Sequence, residues 1–80
     1  MYTGKRAKAL LAFGKAVRKR REELGLSQEK LAELADLHRT YIADVERWSR
    51  NIGLLNVLGI AGALDITPSE LLNSMMLKKR

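Results

Sequence analysis

The stretch Gly25-Leu26-Ser27-Gln28-Glu29-Lys30-Leu31-Ala32-Glu33-Leu34-Ala35, followed after a short gap by Arg39-Thr40-Tyr41-Ile42-Ala43-Asp44-Val45-Glu46-Arg47, decides how this chain folds. In its first part Leu31, Leu34 and Ala35 recur at the three-and-four spacing of a helix, so they are expected to form an inner face. Ser27 is a good N-cap, because its hydroxyl can accept from a backbone N–H that the first turn leaves unpaired. This helix should end near Asp36. The second part predicts a helix over about residues 39–47, with Ile42 and Val45 inward. Arg39, Thr40, Ala43 and Asp44 are left on the opposite side. Two helices this short and this close can cross steeply, holding the second one out from the domain.

Upstream, a helix from about residue 5 or 9 to residue 24 puts Leu10, Phe13, Val17 and Leu24 on one face, and Gly25 follows as a left-handed terminator. Arg21 lies four residues past Val17 on that apolar stripe, so it is either buried with a partner or an interruption. Downstream, residues 54–64 contain Leu54, Leu55, Val57, Leu58, Ile60, Ala61 and Leu64, apolar nearly all round, which predicts a central helix. Gly59 and Gly62 inside it each cost about 1 kcal/mol relative to Ala, and sequence alone does not decide whether they permit close helix approach. Thr67-Pro68-Ser69-Glu70 is a capping box with Pro in the first helical position, and Leu71, Leu72, Met75 and Met76 follow on one face. Nothing alternates as a half-buried strand would. The expected fold is therefore all-α, five helices in a single domain over residues 1–80.

A chain of 80 residues buries only about 60% of the surface that it exposes unfolded, so its core must be efficient or shared with a second copy. Apolar residues at 46% and charged residues at 30% exclude the disordered class. The absence of Cys excludes disulfides and thiolate metal sites, and His38 alone cannot build a histidine site. No metal or other cofactor is expected. No apolar run approaches a membrane span and no secretory signal is evident, so the expected location is the cytoplasm. Lys5, Arg6, Lys8, Lys15, Arg18, Lys19, Arg20 and Arg21 against Glu22 and Glu23 place the whole formal charge of +6 in the first 25 residues. Such segregation suits a polyanion, although a solvated helix face has the same composition.

The exposed side of the helix over 39–47 has the chemistry of a base reader. Arg39 can donate two parallel hydrogen bonds to guanine O6 and N7, Thr40 can bond a base edge or touch the thymine methyl, and Asp44 can accept from cytosine N4. The Tyr41 hydroxyl suits a phosphate. In contrast, the carboxylates are scattered, no nucleophile stands beside a base, and no glycine-rich phosphate loop is present, so an enzyme is not expected.

The two opening segments, together with Ile60-Ala61-Gly62-Ala63-Leu64-Asp65-Ile66-Thr67-Pro68-Ser69-Glu70-Leu71-Leu72, strongly resemble the Cro/CI-type (xenobiotic-response-element) helix-turn-helix family over about residues 13–72. The resemblance implies a compact, lambda-repressor-like five-helix bundle, with the helix-turn-helix at about residues 27–47. Within the family, Arg39-Thr40-Tyr41-Ile42 and Glu46-Arg47-Trp48-Ser49-Arg50-Asn51 are similar to the controller proteins of restriction-modification systems, and phage repressors and other small regulators share parts of this pattern. The residues that it implies for base reading are Arg39, Thr40, Asp44 and Ala43. For the DNA backbone it implies Gln28, Tyr41, Arg50 and Asn51, with His38 open between a phosphate contact and a plain surface histidine. It also implies a structural ion pair between Arg21 and Glu46, which agrees with the position of Arg21 on an apolar stripe.

Three residues depart from the family pattern. His38 stands at a usual Ser, Thr or Asp N-cap, Lys30 replaces the acid of a Ser27 capping box, and Trp48 stands where Gly or Asn would tolerate positive φ. The implied partners are double-stranded DNA and a second copy of the chain, with RNA polymerase contact left open and no small-molecule ligand expected. Leu71, Leu72, Met75 and Met76 exceed what a short terminal helix buries on a small core, so a helix over about residues 68–77 is expected to form the dimer interface. An antitoxin-like or other protein-interaction module with a basic helical surface is the alternative.

Overall fold

A computed structural model describes residues 4–75, and every element among them is helical. Helix α1 spans Gly4–Glu23, α2 Gln28–Ala35, α3 Arg39–Glu46, α4 Leu54–Ala63 and α5 Pro68–Leu72, and a 3-10 turn Asn73–Met75 follows. Local signals set the boundaries. Ser27 Oγ accepts from the Lys30 N–H at 2.9 Å to start α2. At α5 the box closes in both directions, with Glu70 N–H donating to Thr67 Oγ1 at 3.0 Å and Thr67 N–H donating to Glu70 Oε1 at 2.9 Å. Gly25 takes the left-handed conformation after α1, at φ 71°. Asp36 does the same after α2 at φ 58°, which makes the turn to α3 tight, and the Leu37 N–H closes it on Ala32 O at 2.8 Å.

The core is one cluster: Phe13 and Val17 of α1, Leu31 and Ala32 of α2, Ile42 and Val45 of α3, Val57, Ile60 and Ala61 of α4, Leu64, and Leu71 of α5. Helix α2 packs on α3 and α4, while α1 packs on α3 and on α5 with its following turn. The approach of α1 to α3 is close. A Cβ at Gly14 would sit 2.5 Å from the carbonyl oxygen of Val45, so only glycine admits the last turn of α3 at that depth. A Cβ at Gly62 would face open space and one at Gly59 would meet only Ala35 O, at 3.4 Å, so neither glycine is needed for close packing.

Several expectations change. Leu24 is exposed rather than part of the α1 face, because α1 stops at Glu23 and Gly25 reverses the chain. In α2 the buried pair is Leu31 and Ala32, and Leu34 turns to the surface. The stripe of α2 centres on residues 31, 32 and 35, and Leu34 falls beside it. Helix α4 is not central. It buries Val57, Ile60 and Ala61, but Leu54 is 70% exposed, Leu55 79% and Leu58 45%, because no described element covers that side. The terminal helix is also shorter than expected. It ends at Leu72, Leu71 is only 2% exposed and belongs to the protomer's own core, Leu72 is exposed and Met75 packs partly on the core. Leu71 is thus unavailable as an interface residue, and Met76 lies outside the described residues.

Candidate nucleic-acid interface

The turn at Asp36, Leu37 and His38 presents the start of α3 to solvent. Arg39 and Thr40 are exposed there, and Arg39 has no ion pair among the described residues. Ala43 and Asp44 follow one turn later on the same side, half-buried. His38 is the N-cap residue, but its side chain makes no capping hydrogen bond, and its ring is exposed. Tyr41 is half-buried, and its hydroxyl accepts from Asn56 Nδ2 of α4 at 2.9 Å. That leaves the phenolic proton free to be donated outward.

Behind this surface α3 is anchored by an ion pair. Arg21 Nε donates to Glu46 Oε2 at 2.7 Å and Arg21 Nη2 to Glu46 Oε1 at 3.0 Å, a bidentate fork with side chains 12% and 4% exposed. Arg21 Nη1 donates to the carbonyl of Leu26 at 2.8 Å, and Gln28 Nε2 donates to Glu46 Oε1 at 3.1 Å. One guanidinium therefore ties the end of α1, the loop before α2 and the end of α3 together. The hydrogen bond to Glu46 raises the Arg21 pKa above its ordinary value, against the opposing effect of burial. Gln28 sits at the first turn of α2 with its amide oriented by this pair.

At the outer end of α3 the chain reverses. Trp48 adopts φ 53°, left-handed for a bulky residue, and the Ser49 N–H donates to Asp44 O at 3.0 Å. The reversal brings Arg50 back over α3, where its guanidinium carbon lies 4.6 Å from the centroid of the Tyr41 ring. Arg50 Nη2 donates to Asp44 Oδ2 at 3.1 Å, and Arg47 Nη2 donates to Asp44 Oδ1. The hydrogen bond from Arg50, with that from Arg47 added, holds the Asp44 carboxyl below its ordinary pKa. Asp44, expected to meet a base, thus has both oxygens engaged by arginines of its own chain.

Asn51 stands apart from the rest. It lines a shallow hollow with Arg6, Ala9, Leu10 and Met75 on the α1 side. The basic segment is likewise divided: Arg18 pairs with Glu22, Arg20 donates to the carbonyl of Leu64 at 2.9 Å, and Arg21 is internal, while Lys5, Lys8, Lys15 and Lys19 are exposed. Sequence reasoning missed Arg47 and Asn56. The first was signalled by its i,i+3 spacing from Asp44, and the second had no local signal.

The model of the helix-turn-helix family matches residues 17–71. The chain is 50% identical over 64 residues to control protein C.BamHI of Bacillus amyloliquefaciens, covering 79% of each. It is 47% identical over 62 residues to control protein C.SmaI of Serratia marcescens, covering 78% of this chain and 74% of that protein. The solved structure of the restriction-modification controller protein C.AhdI from Aeromonas hydrophila superposes with a TM-score of 0.76 at 52% identity, over 78% of this chain and 94% of that one. With its tight turn at Asp36, its exposed Arg39 and Thr40 and this likeness over most of its length, the chain belongs to the helix-turn-helix family, in the Cro/CI-type branch that holds the restriction-modification control proteins.

Proposed function

We propose that this protein is a sequence-specific DNA-binding transcription regulator that acts as a dimer on a palindromic operator, in the cytoplasm, and controls a restriction-modification operon as its control-protein relatives' names suggest. The observation that carries this reading is the exposed first turn of α3, Arg39 and Thr40 side by side on a helix fixed from behind by the Arg21–Glu46 fork. Inserted in the major groove, Arg39 reads guanine O6 and N7, Thr40 a base edge, and Ala43 a thymine methyl. Tyr41 through its free phenolic proton, Arg50, and Gln28 at the α2 N-terminus meet phosphates. His38, exposed at the start of α3, is at the rim of this surface, and Asn51, on the α1 side, reaches a phosphate only if the DNA backbone passes over the hollow that it lines with Arg6.

The dimer contact is assigned to the uncovered side of α4, Leu54, Leu55 and Leu58, joined by Leu72, in place of a contact through Leu71. A two-fold axis there sets two reading helices on half-sites about 34 Å apart, one turn of B-DNA. Activation, where it occurs, requires a contact with RNA polymerase beside the bound dimer.

Selection of bound duplexes from a random pool tests the reading directly. An inverted repeat with its half-site centres one turn apart is the expected result, together with sedimentation as a dimer at micromolar concentration. Arg39→Ala should lose about 1 to 3 kcal/mol on the selected duplex and relax preference at one base pair per half-site. A pool recovered without any common sequence overturns the function, and an equal loss on every sequence overturns the role of Arg39.

A further inference from the structure

We infer that Asp44 sets DNA specificity indirectly, as a clamp on Arg47 and Arg50 that withholds their charge from non-operator DNA; this rests on the DNA-binding reading above. Three observations meet at this carboxylate. Its two oxygens are each taken by a different arginine, and the two come from different segments, Arg47 from the C-cap of α3 and Arg50 from the returning loop. The Asp44 side chain is only 18% exposed, while those of Arg47 and Arg50 are 67% and 44% exposed, so the cations face solvent over a carboxylate that they cover. Arg50 is further seated on the Tyr41 ring, whose hydroxyl is held by Asn56. The sites of attachment span α3, the loop after it and α4.

A direct base contact by Asp44 would have to share oxygens that two arginines already engage, and would bring the acid against a polyanion. As a clamp, the same residue does something that free arginines cannot. Non-specific affinity comes almost entirely from phosphate neutralisation, and each cation that meets a phosphate adds about 0.9 to the salt slope. With one carboxylate shared between them, Arg47 and Arg50 present less free charge to duplex in arbitrary register. They transfer to phosphates only where the fit of α3 in the groove brings those phosphates within reach. Exposed pairs of this kind are weak enough to exchange partners. The clamp therefore lowers background binding more than operator binding, and its output is the ratio of the two.

The test compares Asp44→Asn with the parent on two probes, a duplex that the parent selects from a random pool and the unselected pool itself, each over a range of salt concentration. The expected result is a several-fold gain in affinity for the unselected pool, with its salt slope steeper by about one to two, and a smaller change on the selected duplex, so that discrimination falls. In an Arg47→Gln/Arg50→Gln background, Asp44→Asn should then give only the small gain of removing one negative charge beside DNA, alike on both probes, since the clamp has nothing left to hold. Three results overturn the inference: an unchanged slope, an effect of equal size in the arginine-less background, or a loss confined to one base pair of the selected duplex, the mark of a base reader. A parent protein that selects no duplex at all overturns the DNA-binding reading instead.

Discussion

Asp44 and Glu46 stand two residues apart, on nearly opposite faces of helix α3, each a carboxylate gripped by arginine, yet they are built for opposite ends. Glu46 is 4% exposed and receives a bidentate fork from Arg21 plus an amide from Gln28, all converging from α1 and α2. Asp44 holds two separate, largely exposed arginines that come from its own helix end and the next loop. The difference lies in water. A pair cut off from solvent keeps its Coulomb attraction but has paid the desolvation of both charges, so losing one partner strands the other. A wet pair gains little and loses little, and its arginines can leave for a phosphate. The inner pair fixes the orientation of α3, and the outer one prepares what α3 delivers.

The largest expected effect is therefore on the inner pair. Arg21→Ala should cost about 3 to 5 kcal/mol of folding stability, because Glu46 remains behind without its countercharge in a largely buried site, with only the Gln28 amide as partner. Thermal and denaturant melts measure it. A melt unchanged from the parent would abolish the distinction between the two carboxylates.

A second, smaller effect tests how the inner pair is brought together. Gly14→Ala introduces a Cβ that meets the backbone oxygen of Val45 at 2.5 Å, and backbone cannot swing aside as a side chain can. Helix α1 must then retreat from the last turn of α3, at a cost of about 1 to 3 kcal/mol. Because the retreat also separates Arg21 from Glu46, the double variant Gly14→Ala/Arg21→Ala should lose less than the two single losses combined. Full additivity, read from the same denaturant melts, would mean that the close approach and the fork are independent.

Which parts of this were legible beforehand follows from the range over which each signal acts. Ser27, Gly25 and the Thr67-Pro68-Ser69-Glu70 box act within a single turn, so the helix boundaries could be read from residues next to them. Arg21 was visible because it breaks an apolar stripe. The outer side of α4 was not, since periodicity in a helix with leucines all round carries no mark of which side a neighbour covers, and Leu71 was exchanged with it for the same reason. Gly14 matters through a carbonyl on another helix, and Asn56 through a hydroxyl on another helix, contacts that no local pattern encodes. The left-handed Trp48 was signalled by the family pattern, which favours Gly or Asn there, and not by the residue itself, while the stacking of Arg50 on Tyr41 that follows it had no local signal.

The smallest effect on stability sharpens the comparison from its other side. Arg47→Ala removes a cation whose side chain is 67% exposed and leaves Asp44 still paired with Arg50, so the melting curve should stay where the parent's lies. The same variant should nevertheless change DNA binding, flattening the salt slope on a selected duplex by about one, the share of a single phosphate contact. A substitution silent in the melt and visible in the slope is what separates a delivered charge from a structural one. If Arg47→Ala instead lowered the melt as Arg21→Ala does, the outer network would be part of the scaffold, and the two carboxylates of α3 would serve one purpose.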